Sequence, residues 1–456
     1  LDKQEEKYTR MTTRPVGGLI CSLAGPCIIS MMVTAFYNLA DTFFVGRMNS
    51  NSATAAVGVA FSLMAVIQAV GFFFGHGSGN YISRKLGQQD AEDASAMAAD
   101  GFFLALAAGG LILLLGELFL TPLAQLLGST ETILPYARSY IRIILIGAPW
   151  MTASLVLNNQ LRFQGSAAYG MVGITVGAVL NIGLDPLLIF VFRLGIAGAA
   201  IATIFSQLVS FTLLLVGCSR GGNLRIRFSR LRLERSYFLL IVQGGLPSLA
   251  RQGLASLAAI VLNRAAGGYG DAAIAAMSVV SRAMMTAASA LIGFGQGFQP
   301  VCGFNYGARL WSRVREGFWF CVRASSVFLA AVSVLGFAFA PQIIAVFRND
   351  PDVIAYGATA LRLQCITFAL NGWVMISNML MQTINRTGPA TFLAMARQGI
   401  FLIPLLWILT PLLGMWGVQL AQPISDVLTF ACAIPLQLRV LRELSAAPDG
   451  ALPQPG

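Results

Sequence analysis

Two aspartates stand where an apolar chain keeps a charge only for a reason. Asp41 lies in "YNLADTFFVG", residues 37–46, near the end of a long apolar run. Asp185 lies in "NIGLDPLLIF", residues 181–190. A charged aspartate at the centre of a membrane helix costs about 2.5–3.5 kcal/mol on insertion scales. The carboxyl escapes that cost by holding a proton, or by sharing a cation with other oxygen ligands. Asn181 precedes Asp185 by four residues, so on a helix the two share one face. Pro186 follows at once; it removes an amide donor and disturbs the carbonyl one turn back, near Ile182. A loosened carbonyl inside protein can ligate an ion or a water. Thr203 adds a hydroxyl. Asp41, Asn181, Asp185 and Thr203 thus make an all-oxygen set. It suits a hard cation such as Na+. It suits equally a proton shared by two carboxylates, because like charges at short range resist ionising together. The residues themselves leave that choice open.

Other side chains are candidates for lining a substrate cavity. Tyr37 lies one helical turn before Asp41, and Asn158, Gln252 and the pair Met284–Met285 fall in other apolar runs. Aromatic rings and methionines suit apolar cations, the first through their π faces and the second through their adaptability. "GHGSG" at 75–79 is glycine-rich, but no strand precedes it and "GQG" echoes it later. It reads as helix packing or a hinge rather than a phosphate cradle. His76, the single histidine, sits at the end of a run. No Ser-His-Asp set, metal motif or Walker loop is present, so no catalytic residue, metal site or cofactor is expected beyond a Na+ or H+ at the oxygen set, and the chain does not read as an enzyme. The seven cysteines fall mostly in apolar runs with no C-x-x-C pair, and read as reduced packing thiols.

The elements that hold these residues follow from composition. Of 456 residues, 56% are hydrophobic and 11% charged, and mean hydropathy is +0.73. Soluble domains carry about 25% charged residues. Apolar segments near 16–46, 55–82, 97–124, 134–160, 168–192, 196–218, 236–264, 272–300, 317–345, 354–382, 391–413 and 415–438 are each long enough to cross a bilayer, which takes about 20 residues. Backbone amides in lipid need internal partners, so these are helices. The first run is too long for the core of a cleaved signal peptide and reads as a retained helix. Most of the 30 Lys and Arg residues fall in alternate connections, among them Arg84, Lys85, Arg162, Arg309, Arg313 and Arg386. The positive-inside rule then places both termini in the cytoplasm.

The most basic stretch, "SRGGNLRIRFSRLRLERS" at 219–236, stands at the midpoint. It reads as a cytoplasmic linker rather than a nucleic-acid patch, because the halves on either side repeat. "SATAAVGVAFS" at 52–62 matches "AAIAAMSVVSR" at 272–282, and "FGHG" at 74–77 matches "FGQG" at 294–297. "GIAGAAIATIFSQ" at 195–207 matches "GMWGVQLAQPISD" at 414–426. An even number of spans per half makes the repeats parallel, an architecture of transporters. The expected organisation is a first lobe over 1–218, a linker over 219–235 and a second lobe over 236–456. Asp41 corresponds to Val261 and Asp185 to Pro404, so neither carboxylate has a twin and the ion chemistry belongs to the first lobe.

"LADTFFVGRM", "GHGSGNYISRKLGQQD" and "NIGLDPLLIF" followed by "GIAGAAIATIFSQ" resemble the multidrug and toxic compound extrusion (MATE) transporters, and most closely a DinF-like prokaryotic branch. The resemblance runs from about Gly17 to Leu438 and implies an all-α membrane protein of twelve helices in two pseudo-symmetric six-helix lobes. It further implies a monomer in a bacterial cytoplasmic membrane, exporting organic cations or amphiphilic drugs against inward Na+ or H+. The family's ion-site motif falls here on Asp41, Asn181, Asp185 and Thr203. Another branch carries acidic residues in the second lobe, where this chain has Arg251, Gln252 and Asn371. A lipid-linked sugar flippase of the same superfamily is the rival reading; Arg251, Arg282, Arg323 and Arg397 are its candidate cations for a pyrophosphate.

Overall fold

The computed structural model describes residues 2–451. Among them, twelve helices are long and apolar enough to span a membrane. Spans one to six are Val16–Gly46, Asn51–Gly87, Ala91–Leu118, Leu134–Phe163, Ala167–Val191 and Ile196–Cys218. Spans seven to twelve are Arg235–Gly267, Asp271–Gly307, Trp311–Ala338, Pro351–Thr383, Thr387–Leu413 and Met415–Ala446. The chain is therefore an all-α, multi-pass membrane protein. Polar caps start several spans: Ser50 Oγ accepts from Ala53 N (3.2 Å), and Asp350 Oδ1 accepts from Asp352 N (3.0 Å).

Two spans end earlier than their apolar runs. Span three stops at Leu118 and a separate short helix follows at Leu120–Leu126; span nine stops at Ala338 before Ala340–Phe347. The break is one phenylalanine in each case, Phe119 (φ −116°, ψ 34°) and Phe339 (φ −108°, ψ 21°). Hydropathy is blind to such a break because the residues beyond it are still apolar.

Contacts divide the chain into two compact units. One holds the residues up to Met11 together with Gly25–Gly245, the other Thr12–Ala24 together with the residues from Leu246 on. The leading turns of span one thus pack in the second unit, and those of span seven in the first. The repeated glycine motif explains how. A Cβ on Gly77 would strike the Ile241 carbonyl in span seven, and one on Gly297 would strike Ala24 in span one. Both glycines allow a helix to approach backbone to backbone, and they sit at the same place in the two repeats. Pro26 and Pro247 lie inside spans one and seven just past these crossings.

The backbone repeats as well. Gly195 (φ 60°, ψ −134°) and Gly414 (φ 64°, ψ −136°) take the same glycine-favouring turn before spans six and twelve. Gln89 and Arg309 share a positive φ, 59° and 58°, after spans two and eight.

The basic linker lies on the first unit. Asp100, fully buried, accepts from Arg232 N (2.9 Å) and Leu233 N (3.1 Å). Asp93 accepts from Tyr81 and Tyr237 and pairs with Lys85 (3.1 Å). Lys7 donates to Ser166 Oγ (3.0 Å) and Asn223 Oδ1 (2.7 Å). Burial, with Arg10 alongside, lowers the Lys7 amine to about 8.

Candidate functional site

In the first unit the helices bring the oxygen set together. Asp41 comes from span one, Asn181 and Asp185 from span five and Thr203 from span six. All four are buried, none more than 4% exposed. The Asp41 and Asp185 carboxyls lie beside each other. Asn181 donates its amide to Asp185 Oδ2 (3.1 Å) and accepts from Thr203 N (3.3 Å) in the side-chain orientation that satisfies both. The Thr203 hydroxyl donates to Ala199 O (3.0 Å), so its oxygen keeps its capacity to accept. One oxygen of each carboxylate, Oδ1 of Asp41 and Oδ1 of Asp185, has no hydrogen bond. Among the described residues neither carboxylate has a Lys, Arg or His partner. The set therefore offers oxygen ligands and neutral donors around a charge that nothing fixed cancels.

Local structure holds this arrangement. Span five is α-helical through Pro186 and then widens to a π-helix over Leu187–Val191. The bulge begins directly after Pro186, as expected where proline removes a donor. Beneath the cluster, Ile144, Ile189, Ala199 and Ala200 form part of one apolar core. Trp150 ties span four to span six through Ile204 O (3.1 Å).

Tyr37, taken from the sequence as a cavity residue, is buried beside both carboxylates and the Thr203 hydroxyl. Tyr140 on span four joins the same cluster and was not singled out in the sequence. In "RSYIRI" it reads as an aromatic at a membrane edge. The repeat carries the missing signal: the matching position is Ala360, so Tyr140 lacks a twin just as the aspartates do.

The remaining cavity candidates are dispersed. Asn158 is half-buried and fills the space over Gly170 of span five. Gln252 is half-buried on span seven. Met284 packs against the second unit's cores, whereas Met285 is 71% exposed. His76 is buried, stacked on Phe72 and edge-on to Phe163.

The second unit contains a buried acid that the sequence reading passed over. Asp426 on span twelve is 1% exposed and pairs with Arg397 Nε (2.8 Å) of span eleven. Gln422 Nε2 (2.9 Å) and Thr367 Oγ1 (3.4 Å) also donate to it. Arg397 sits in a π-helical turn, Ala396–Ile400, and its carbonyl accepts from Ser425 Oγ (2.6 Å). The signal available was one acid and one base in adjacent spans. Arg251 is likewise engaged, donating to Asn378 Oδ1 (3.1 Å) and Ser248 Oγ (3.4 Å). Two of the four arginines expected of a pyrophosphate site are thus tied into helix contacts.

Comparison with known proteins now decides the family. The MatE family model matches residues 26–187 and again 247–408, once per repeat. The chain belongs to the MATE family. Among its relatives is the multidrug export protein MepA of Staphylococcus saprophyticus, 25% identical over 91% of both chains. This MATE chain also superposes on an outward-facing multidrug resistance MATE transporter, with a TM-score of 0.89 and 25% identity over 96% of this chain and 99% of that one. A crystal structure of MATE in complex with MaL6 shares the fold, with a TM-score of 0.90 and 24% identity over 96% and 99% of the two chains.

Proposed function

We propose that the protein is a secondary antiporter. It exports cationic or amphiphilic drugs by alternating access, in exchange for protons that move inward through Asp41 and Asp185. The observation that carries this reading is the approach of two buried carboxyls with no basic partner. Two neighbouring carboxyls resist ionising together, and one proton held between them relieves that repulsion, which is the ground for taking the proton as the coupling ion. Family membership and the relatives' multidrug export names support drugs as cargo. Basic residues on alternate connections support a bacterial cytoplasmic membrane with both termini inside.

The residues divide the work. Asp41 and Asp185 hold and release the proton. Asn181 orients the Asp185 carboxyl, and Thr203 with Tyr37 supplies neutral polar groups that keep the pair tolerable in either charge state. Proteoliposomes test the reading. A pH gradient should drive a fluorescent organic cation uphill in the parent and fail to do so in Asp41→Asn. Equal uphill movement in that variant would sink the carboxylate's role. A Na+ gradient at constant pH that drives the same movement would replace the proton with Na+.

A further inference from the structure

A groove of about 560 Å³ opens in the second unit, lined by Gly17, Glu316, Trp319, Phe320 and Arg323. It is separate from both buried acid sites. Four of its five residues come from span nine at spacings of three, one and three, which places them along one helix face. Glu316, Trp319 and Arg323 are exposed and Phe320 is half-buried. Gly17 of span one forms the wall opposite: a Cβ there would already touch the Phe320 ring at 3.0 Å.

Arg323 is the unusual member. It stands within a membrane span, yet makes no hydrogen bond, ion pair or ring contact among the described residues. Intramembrane cations ordinarily find a partner. Glu316 does not serve: two helical turns separate them, and no ion pair joins them. Arg313, a basic neighbour of Glu316, is committed to Asn305 Oδ1 (2.8 Å) and Arg14 O (2.6 Å).

The order of groups along the helix points to what covers them. Glu316 lies about 8 Å from the helix start and Arg323 about 18 Å, at 1.5 Å per residue. Arginine side chains on a helix point back toward its N-terminus. From bilayer core to water the face therefore presents a guanidinium, then aromatic rings, then a carboxylate. An aminophospholipid presents the two charge complements in the same order from core to water: a phosphate, then an ammonium. Phosphatidylglycerol has the phosphate but no cation, and would set its headgroup against Glu316.

We infer that this groove binds one phosphatidylethanolamine molecule. Its phosphate lies on Arg323 and its ammonium on Glu316, with Trp319 and Phe320 flanking the headgroup between them, and its acyl chains run from the Arg323 level toward the bilayer core. Guanidinium–phosphate pairing is charge-assisted and geometrically specific. The direction of span nine alone sets this order of groups, whichever ion drives transport.

Native mass spectrometry of the full chain tests it, using phosphatidylethanolamine and phosphatidylglycerol with identical acyl chains. The parent should retain one phosphatidylethanolamine at about tenfold the occupancy of phosphatidylglycerol, the ratio one charge-assisted contact supports. Arg323→Ala should lose both lipids. Glu316→Gln should keep a bound lipid while its preference falls toward equality; this near-isosteric change at an exposed site decides the matter if Arg323→Ala fails to fold. Parental occupancy in Arg323→Ala, or parental preference in Glu316→Gln, overturns the inference. So does displacement of the lipid by millimolar inorganic phosphate, which would make the groove a site for free anions.

Discussion

Each repeat buries aspartate in an apolar span, and the two units treat that charge differently. Asp426 in the second unit is met by Arg397 at 2.8 Å and by Gln422 at 2.9 Å. Asp41 and Asp185 in the first unit are met by each other and by neutral groups, with one oxygen of each left unbonded. A fixed guanidinium cancels a carboxylate permanently. A mobile cation cancels it only while bound. The first arrangement has one stable charge state and the second has two. A coupling site needs two, which is why the unpaired acids are the ones to which the transport chemistry is assigned.

The largest contrast should appear in transport. Asp41→Asn and Asp185→Asn are expected to reduce gradient-driven drug movement in proteoliposomes to the level of empty vesicles. Their thermal unfolding should change by no more than about 1 kcal/mol, since no fixed cation is left unpaired. Arg397→Met should behave the opposite way. It strands Asp426 without its cation and should cost about 3 kcal/mol in detergent-solubilised protein. Adding Asp426→Asn on that background should recover most of the loss. If Asp41→Asn destabilised the protein as much as Arg397→Met, the distinction between fixed and mobile neutralisation would collapse.

Much of this contrast was legible in the sequence, and the reason it was not all legible is physical. Apolar run length reports helices well because lipid forbids other backbone structures. It overran at Phe119 and Phe339, where the backbone bends without any change in polarity. Asp41, Asn181, Asp185 and Thr203 stood out because polar groups are rare in such runs. Tyr140 did not, because its type is common near membrane edges and only its neighbours reveal its part. The Arg397–Asp426 pair joins residues on different spans, and a single sequence shows each alone. The repeat compensated in part: positions that break it mark the first unit's site, and positions that keep it mark shared architecture.

Where the repeat is kept, equal substitutions should have equal effects. Gly195 and Gly414 adopt the same backbone angles within a few degrees. Alanine at either should cost about 2 kcal/mol, because this region of φ/ψ space is nearly confined to glycine. The two penalties should agree to within about 0.5 kcal/mol, measured as matched shifts in thermal unfolding. A large inequality would show that the units share sequence spacing without sharing mechanics at this turn.

The smallest expected effect belongs to Tyr140, and it probes the site rather than the scaffold. Its phenol lies beside the Thr203 hydroxyl in the neighbourhood of both carboxylates, whereas Ala360 at the matching place in the second half is also buried but apolar. Tyr140→Phe keeps the ring and its packing and removes one hydroxyl. A neutral hydrogen bond contributes about 1 kcal/mol, so initial drug uptake under a pH gradient should slow about fivefold. Stability should stay within about 1 kcal/mol of the parent, because the ring still fills its place. Ala360→Ser, which adds a hydroxyl to the second unit, should leave uptake unchanged. Uptake in Tyr140→Phe at the parental rate would reduce Tyr140 to a packing residue and confine the candidate site to spans one, five and six.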